Sequence, residues 1–515
     1  MKLPTYCNEP YFDYSTPDGR REWREALERA QATLGRSFPL IIGSGRVETS
    51  ERIASHNPCR PSELVGWTAQ AGPEHVEAAL DAAWKAFESW RRTTVEERAS
   101  ILLRAAGLLR ARKHDFNALL ALEVGKNAVE AEAETSEAID FLEYYARQAL
   151  EWARPVAVTQ LPGEEDWAVY EPLGVGVSIS PWNFPLAIFL GQCMGPVAAG
   201  NTMIVKPSED GGVVAALAVD LLLEAGLPDG VVNYLPGRGA TTGELLVTNP
   251  RTRFVNFTGS KAVGLHINEA AARVQPGQRW IKRVTLELGG KDAMLVDETA
   301  DLDAAADAAV AGAFGYNGQK CSALSRLIVV DEVHDALLAK VVERAGRLVV
   351  GEPGENANVT AVINQNSFNK AGASLDLAPQ EGRVVLGGGQ AERPGYFVEP
   401  TIVDDVAPSA RLAREEIFAP ILSVIRVKNF EAGLSALNDS DYGLTGGVYS
   451  RDEERIERAI HEAQVGNLYL NRKITGAMVG AHPFGGYKLS GTDSKGGGPD
   501  YLGLFLQMKS IGRKR

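Results

Sequence analysis

The sequence predicts an α/β protein with two doubly wound domains. From Leu173 onwards, short apolar runs that suit buried parallel strands alternate with helical segments. A second alternating set begins after Gly290. The chain has 515 residues, which is long enough for two to four domains of about 150 residues each.

The part of the chain before residue 155 is predicted to form mainly helices that cover the first sheet. Pro73 suits the first position of a helix, and the spacing of Thr94 and Glu97 is that of a capping box. An apolar face follows Pro73 and comprises Val76, Ala79, Leu80, Ala83 and Phe87. The predicted elements are a charged helix near Gly19–Leu34, strands near Leu40–Ile42, a helix from Pro73, and helices over Ile101–Leu109 and Ala128–Arg147.

Five apolar runs make up the first set of parallel strands, and helices separate the first four. The predicted strands are Val175–Ser180, Thr202–Val205, Val231–Leu235, Phe254–Phe257 and Val284–Leu286. The predicted helices are Leu186–Ala198, Val213–Ala225, Thr241–Val247 and one that follows Ser260.

The second set indicates a further α/β domain whose boundary lies near Gly289 and Gly290. Its predicted elements are a strand at Ala293–Val296, a helix from Leu302 to about Tyr316, a strand at Leu327–Val330 and a helix from Asp335 to Leu348.

Composition and charge exclude several classes of protein. Lys and Arg total 53 and Asp and Glu total 66, so the net charge of −13 argues against a nucleic-acid-binding protein. The four cysteines are far apart and form no Cys-x-x-Cys pair, and the histidines show no metal spacing, so no metal site is expected. The uncharged stretch Pro172–Val205 has the length of a membrane span, but its prolines and glycines favour a buried strand–turn–helix. Free thiols and the lack of a targeting signal predict a cytoplasmic protein without membrane contact.

Unusual sequences follow the predicted strands, at the edge where open parallel sheets bind ligands. In chain order the strand tails are PWNFP, KPSE, PGRG and TGS. Lys206 and Glu209, three residues apart, could bracket a ribose, and the turn that contains Gly259 and Ser260 offers N–H groups to a phosphate. The dinucleotide-binding signal formed by Gly237, Gly239 and Gly243 is weak when taken alone. The simpler interpretation of Lys206 and Glu209 is that their charges are solvated in a surface loop.

Cys321 and Glu287 are the candidate reactive side chains. Cys321 lies in the segment GQKCS, where Lys320 beside it predicts a lowered thiol pKa and a nucleophile. Glu287 ends a predicted strand ahead of two glycines and is a candidate general base. Each residue alone would more simply be an inert thiol or a structural carboxylate.

Cys321 and Glu287 both lie in a series of seven motifs that occur in a fixed order along the chain. They are WNFP, KPSE, FTGS, ELGGK, GQKC, EEIFAP and PFGGYKLSG, and together they resemble the aldehyde dehydrogenase superfamily over essentially the whole chain. The resemblance implies that Cys321 is the nucleophile, Glu287 the general base and Asn183 the side-chain donor to the oxyanion. It also implies a cofactor site formed by Ile179, Pro181, Trp182, Lys206, Ser208, Glu209, Gly239, Phe257, Gly259, Ser260, Val263, Leu288, Glu416 and Phe418.

A finer resemblance indicates the 1-pyrroline-5-carboxylate dehydrogenase branch of that superfamily, which oxidises L-glutamate γ-semialdehyde to glutamate in proline catabolism. It is carried by GQKCSALSR, by EAIDFLEYYAR and by the segment from Asn467 to Thr492, although Ala481-His482 replaces a frequent Gln. The implied substrate site comprises Glu137, Phe184, Lys320, Ser322, Gly476, Ala477 and Phe484.

The resemblance also implies a cofactor, a domain division and partners. NAD is expected, with NADP as a weaker alternative, because Glu209 would repel a 2′-phosphate. The expected fold is that of an aldehyde dehydrogenase: an NAD-binding domain (1–154 and 173–288), a catalytic domain (289–487) and a small β oligomerisation element (155–172 and 488–515). A homo-oligomer of at least two chains is expected, with a proline dehydrogenase as the supplier of the small-molecule substrate.

Three other functions fit parts of this pattern. A succinic semialdehyde dehydrogenase would usually present a cation to its substrate, and Ser322 with Gly476 and Ala477 argues against it. An enzyme that transfers its thioester to coenzyme A would not need Glu287 to activate water. A binding protein that merely retained the fold would not need Cys321, Glu287 and Asn183 together.

Overall fold

The N-terminal part of the chain forms one helix and five short strands. The computed structural model describes residues 3–355 and 357–515. Helix α1 begins two residues before the predicted start, with Pro17 in its first turn, and Thr16 Oγ1 accepts the backbone N–H of Gly19 at 3.0 Å. The elements are α1 (Pro17–Gln31), β1 (Arg36–Phe38), β2 (Leu40–Ile42), β3 (Gly45–Val47), β4 (Arg52–Asn57) and β5 (Arg60–Ala69). Strands β1, β5 and β4 form a small sheet in that order.

Four helices follow, and three of them match predicted segments. Helix α2 begins at Pro73 and buries all five apolar residues predicted to face the core. Thr94 caps α3, since its Oγ1 accepts the N–H of Glu97 at 3.3 Å. The helices are α2 (Pro73–Trp90), α3 (Val95–Ala111), α4 (Lys113–Val124) and α5 (Ala128–Trp152). Helix α4 was not predicted.

The first large sheet has seven strands in the order β11-β10-β7-β8-β9-β2-β3. Its first five strands are parallel, and β2 and β3 add antiparallel to the far edge. The elements of this part are β6 (Glu164–Pro172), β7 (Val175–Ile179), α6 (Ala187–Ala198), β8 (Thr202–Lys206), α7 (Gly212–Glu224), β9 (Val232–Tyr234), α8 (Glu244–Thr248), β10 (Phe254–Thr258), α9 (Lys261–Ala272) and β11 (Arg283–Glu287). All five predicted parallel strands are present within two residues.

Two apolar cores cover the faces of this sheet. Helices α2, α8 and α9 pack on one face, and α3, α5, α6 and α7 pack on the other. Successive residues of β8 point to opposite cores, as the pleat requires: Ile204 belongs to the first core, and Met203 and Val205 belong to the second. The predicted helix Thr241–Val247 is wrong at its start, because a wide π turn over Gly239–Gly243 precedes α8.

The uncharged stretch from Pro172 to Val205 forms β7, α6 and β8, so the strand–turn–helix prediction for it is confirmed. Within residues 3–355 and 357–515, no helix combines the length and the apolar character needed to cross a bilayer.

The second large sheet also has seven strands, in the order β14-β15-β16-β13-β12-β18-β19, and only β14 runs antiparallel to its neighbour. The elements are β12 (Asp292–Val296), α10 (Leu302–Phe314), β13 (Leu324–Val330), α11 (Asp331–Ala345), α12 (Gln365–Glu381), β14 (Arg383–Leu386), β15 (Thr401–Asp404), α13 (Arg411–Arg414), β16 (Ile421–Val427), α14 (Phe430–Asn438), β17 (Tyr442–Gly443), β18 (Thr445–Tyr449), α15 (Glu453–Glu462) and β19 (Asn467–Leu470). Helices α10 and α11 pack on one face, and α12 to α15 pack on the other.

The C-terminal segment returns to the first half of the molecule. It contains β20 (Tyr487–Lys488) and β21 (Leu506–Lys514). Strand β21 pairs antiparallel with β6 along its whole length, from Leu506 opposite Pro172 to Lys514 opposite Glu164. This two-stranded ribbon is joined to neither of the large sheets.

A missing side chain in β7 makes room for an aromatic ring in the neighbouring strand. Gly176 lies directly opposite Phe254 of β10, which is 1% exposed. A Cβ atom at position 176 would overlap the Phe254 ring. The close approach of these two strands therefore depends on glycine at this position.

We expect Gly176→Ala to destabilise the protein by about 1–3 kcal/mol, the usual cost of overpacking a core. Gly107→Ala is the matched control. Gly107 is exposed inside α3 and a Cβ there meets no atom within 4 Å, so alanine should stabilise the protein by about 0.5–1 kcal/mol. Thermal unfolding of both variants measures the difference. An unchanged unfolding temperature for Gly176→Ala would contradict the packing argument.

Candidate active site

The chain crosses from the first sheet to the second between β11 and β12, and the candidate site lies at this crossing. Strand β11 ends at Glu287 and β12 begins at Asp292. The two glycines between them allow close packing, because a Cβ at Gly289 would overlap the Glu416 carboxylate and one at Gly290 would overlap the Cys321 carbonyl. The Gly290 N–H donates to Glu416 Oε1 at 3.1 Å.

Cys321 follows a turn whose backbone is held in an unusual conformation. Tyr316 and Asn317 have φ angles of 47° and 59°, in the left-handed region that side chains rarely adopt. The Asn317 side chain donates to the Ala361 carbonyl at 2.9 Å, and the Tyr316 hydroxyl donates to the Val124 carbonyl at 2.9 Å. These contacts fix the segment 315–321, which we call the nucleophile loop.

Asn183 approaches the nucleophile loop from the first sheet. It belongs to the segment 181–185 that follows β7, which we call the oxyanion loop. Asn183 is 4% exposed, and its Nδ2 donates to the backbone carbonyl of Gln319 at 3.0 Å. This amide therefore lies beside the turn that carries Cys321.

The predicted low pKa of the Cys321 thiol is wrong for this structure. Burial raises the pKa of this thiol well above its ordinary range, and the carboxyls of Asp292 and Glu287 raise it further. Lys320 does not oppose them, because its Nζ pairs with Glu130 at 2.6 Å. The thiol therefore rests in its protonated form.

Glu287 extends from the end of β11 into the same space. One carboxylate oxygen accepts a hydrogen bond from the Ser494 hydroxyl, and the other is buried and has no hydrogen-bond partner among the described residues. Burial raises the pKa of the Glu287 carboxyl to about 8, although Ser494 and Lys495 lower it. A carboxylate with this pKa can accept a proton near neutral pH.

The predicted substrate residues line one cavity of about 170 Å³ together with Cys321 and Glu287. These residues are Glu137, Phe184, Lys320, Ser322, Gly476, Ala477 and Phe484. They come from α5, from both loops and from the segment after β19, so the fold brings together positions that are up to 347 residues apart along the chain. Asn183 is not among the residues that line this cavity.

Polar groups in the cavity wall differ in whether they are paired. Lys320 is paired with Glu130, whereas the side chain of Glu137 makes no hydrogen bond with another described residue. Burial raises the pKa of the Glu137 carboxyl to about 8, and the neighbouring Glu134 contributes to the rise. Arg472 donates to the backbone carbonyl of Gly476 at 3.2 Å and so fixes the loop that carries Ala477.

The predicted cofactor residues follow the carboxyl ends of the first sheet and do not line the substrate cavity. Lys206 is buried and its Nζ donates to the Pro207 carbonyl at 2.9 Å. Burial lowers the pKa of the Lys206 ammonium to about 8, and Glu209 opposes this effect. A Cβ at Gly239 would meet no atom within 4 Å, so the backbone there is open to a ligand.

The remaining cofactor candidates fall into three groups. Trp182 and Phe418 meet edge to face, with ring centroids 5.6 Å apart, and connect the oxyanion loop to the segment that carries Glu416. Ser260 caps α9, and the Gly259 N–H donates to the Glu287 carbonyl at 3.0 Å. The others lie at the ends of elements or in the turns beside them: Ile179, Pro181, Ser208, Phe257, Val263 and Leu288.

Comparison with known proteins identifies the family of this chain. The model of the aldehyde dehydrogenase family matches residues 46–511. The chain belongs to the aldehyde dehydrogenase family.

Relatives within the family are similar over nearly the whole chain. The 1-pyrroline-5-carboxylate dehydrogenase of Geobacillus thermodenitrificans is 50% identical over 507 residues, which is 98% of each chain. Bacillus subtilis 1-pyrroline-5-carboxylate dehydrogenase 2 is 48% identical over 508 residues, again 98% of each chain. A structure of 1-pyrroline-5-carboxylate dehydrogenase from Thermus with bound NAD is 53% identical, with a TM-score of 0.99 and full coverage of both chains.

These comparisons confirm both resemblances and the α/β fold class drawn from the sequence. A structure of proline utilization A from Bdellovibrio bacteriovorus is also similar, at 40% identity and a TM-score of 0.97, and the match covers all of this chain and 54% of that one. The roles of the individual site residues stay predictions.

Several residues around the aldehyde dehydrogenase site were missed in the sequence. Tyr11 and Glu130 line the cavity wall, and Ser494 contacts the candidate base. Lys126 and Glu134 are buried behind Phe184. Ser494 lies three residues beyond the motif PFGGYKLSG, so its position was a usable signal, whereas the charges of α5 resemble an ordinary solvated helix.

The raised pKa of Cys321 predicts low reactivity in the free enzyme. The rate of alkylation by iodoacetamide without NAD should be slow at pH 7 and still rise above pH 9, because an unperturbed thiol titrates at about 8.5. The Cys321→Ala variant measures the background from the exposed Cys7. A plateau in the Cys321-dependent rate near pH 7 would contradict this expectation.

Proposed function

We propose that this chain oxidises L-glutamate γ-semialdehyde, which forms from 1-pyrroline-5-carboxylate, to L-glutamate with NAD as the hydride acceptor. The observation that carries the proposal is the single cavity in which Cys321 and Glu287 meet Ser322, Gly476 and Ala477. The named relatives, about half identical over 98% of the chain, support the same reaction.

The cavity suits a substrate with an aldehyde at one end and an amino acid at the other. We infer that Ser322 and the loop at Gly476 and Ala477 bind the α-carboxylate, since small residues let a ligand approach the backbone. Phe184 and Phe484 would pack against the methylene carbons between the two ends. The unpaired carboxyl of Glu137 would face the α-ammonium group, whose charge would favour its ionised form.

The proposed reaction begins at Cys321. Its thiol gives its proton to water, and the sulfur attacks the aldehyde carbon, which turns the carbonyl oxygen into an oxyanion. Asn183 Nδ2 and the Cys321 backbone N–H donate hydrogen bonds to this oxyanion. As the carbonyl re-forms, the carbon gives up its hydride and becomes a thioester. Glu287 then takes a proton from water, whose oxygen attacks the thioester and releases glutamate and the Cys321 sulfur.

The residues present fit NAD. When bound, NAD supplies the carbon that accepts the hydride. We propose that Lys206 and Glu209 hold the adenosine ribose, that the open backbone at Gly239 and the capped start of α9 lie along the pyrophosphate, and that Glu416 holds the second ribose. The carboxylate of Glu209 would repel the 2′-phosphate of NADP, so weaker activity with NADP is expected.

We also propose the domain division and the assembly. The change of sheet between Glu287 and Asp292 supports a boundary at residue 289 between an NAD-binding and a catalytic domain. The ribbon of β6 and β21 supports an oligomerisation element, because a two-stranded ribbon is marginally stable alone and gains from a second chain. The similarity to part of proline utilization A supports a proline dehydrogenase as the supplier of the substrate.

Substrate selection tests the proposed function. We expect kcat/KM for propanal to be about a hundredfold or more below that for glutamate γ-semialdehyde, because two charge-assisted hydrogen bonds of about 1.5 kcal/mol each are lost. Succinic semialdehyde should be intermediate, and Ser322→Ala should weaken selection for the carboxylate by about tenfold. NADH absorbance with the three substrates in one buffer is the measurement. Equal efficiency with propanal and the semialdehyde would overturn the proposal.

Replacement of the candidate base separates the two halves of the reaction. Glu287→Gln should release a burst of about one NADH per site and then turn over slowly, because the thioester forms but water is not activated. In the wild type the steady-state rate should rise with pH through about 8, where Glu287 loses its proton. Cys321→Ala is the control and should give no burst. A normal steady-state rate in Glu287→Gln would place the base elsewhere.

A further inference from the structure

Lys126 is a lysine enclosed completely within the protein. It lies in the short connection between α4 and α5, and its side chain is 0% exposed. Its Nζ forms an ion pair at 2.7 Å with Glu134, which is equally buried. A buried ion pair costs desolvation and is often no more stabilising than apolar packing, so its position calls for another explanation.

The partner of Lys126 holds the end of the oxyanion loop. Glu134 Oε1 accepts the backbone N–H of Leu186 at 2.8 Å and that of Ala187 at 3.2 Å. These are the first free N–H groups of α6, which begins directly after the loop that carries Asn183 and Phe184. The Glu134 carboxylate thus fixes the point at which the loop joins the helix.

Lys126 itself lies between one ring from each of the two loops. Its Nζ is 3.6 Å from the centroid of the Phe184 ring and 4.3 Å from that of the Tyr316 ring. Phe184 belongs to the oxyanion loop and Tyr316 to the nucleophile loop. A desolvated ammonium is attracted to the faces of both rings.

We propose that Lys126 is a positioning residue that sets the distance between the oxyanion donor and the nucleophile. It holds the oxyanion loop through Glu134 and Phe184, and it holds the nucleophile loop through Tyr316. The proposal rests on the proposed function, because it assumes that Asn183 and Cys321 act on the same substrate carbon. Lys126 does not line the substrate cavity, so the role assigned to it acts through the position of the two loops and not through contact with substrate.

The test is Lys126→Met, which keeps the length of the side chain and removes its charge. We expect kcat with glutamate γ-semialdehyde to fall by about a hundredfold, since a displacement of about 1 Å at the reacting groups costs a factor of that size. The KM for NAD should stay within about twofold, because neither ring belongs to the predicted cofactor site. The rate of the first NADH turnover should fall with kcat, which places the loss before deacylation.

Lys282→Met is the matched control for burial of the new side chain. Lys282 is 7% exposed, its Nζ donates to the Val247 carbonyl, and it precedes the amino end of β11, opposite to the end that carries Glu287. Lys282→Met should lower the unfolding temperature while kcat stays near that of the wild type. A loss of kcat in Lys126→Met no larger than in this control would overturn the proposal.

Two further variants cover the case in which Lys126→Met does not fold. Lys126→Arg keeps the cation and should retain more kcat than any neutral replacement. Glu134→Gln keeps an oxygen for the two N–H groups but removes the ion pair, so kcat should fall by about tenfold at an unchanged KM for NAD. Unchanged kcat in Glu134→Gln would equally overturn the proposal. An inactive wild type would contradict the proposed function. If the wild type is active and kcat does not change when Lys126 is replaced, only the positioning role is contradicted.

Discussion

The site depends on how tightly the chain packs where it crosses between its two parallel sheets. Only four residues separate the last residue of β11 from the first of β12. Because Gly289 and Gly290 have no side chains, the Glu416 carboxylate and the Cys321 backbone can lie against the crossing. One short segment therefore places the candidate base, the candidate nucleophile and a candidate cofactor residue close together.

Around this crossing the protein keeps ionisable groups away from water, and their pKa values shift accordingly. Burial raises the pKa of Glu287 and of Glu137, and it lowers that of Lys206. Carboxyls in such surroundings hold their protons near neutral pH until a ligand changes the local charge, whereas a buried ammonium gives up its proton more readily. The protonated thiol of Cys321 has the same cause, since burial and the nearby carboxyls of Asp292 and Glu287 disfavour the thiolate.

The sequence predicted those helices and strands whose pattern of apolar residues reflects how they are buried in the fold. The parallel strands were found because strands buried on both faces are continuous apolar runs. Helix α4 was missed for a related reason: nearly all of it is buried, from Phe116 to Val124, so it lacks an apolar stripe with helical period. Between Leu348 and the predicted β element at 488–515 no helix or strand was predicted, although α12 to α15 and β14 to β19 lie there. Many of those strands have five residues or fewer, too short to show a period.

Some residues of the candidate site could likewise be predicted from the sequence, and others could not. Cys321, Glu287 and Asn183 stand in distinctive motifs, and the structure brings their loops together. The acidic residues of α5 have no such motif, yet Glu130, Glu134 and Glu137 are spaced by four and three residues and so share one helix face.

That spacing is typical of a solvated face, and only the structure shows that it is turned inward. Glu130 then meets Lys320 and Glu134 meets Lys126, while Glu137 is left facing the cavity. Burial raises the pKa of Glu130 less than Lys320 and Lys126 lower it, whereas the pKa of Glu137 rises to about 8. One face of one helix thus pairs with the lysine beside Cys321, accepts N–H groups at the end of the oxyanion loop and places one carboxyl in the cavity wall. The difference among these three glutamates lies in their partners, which the sequence of α5 does not contain.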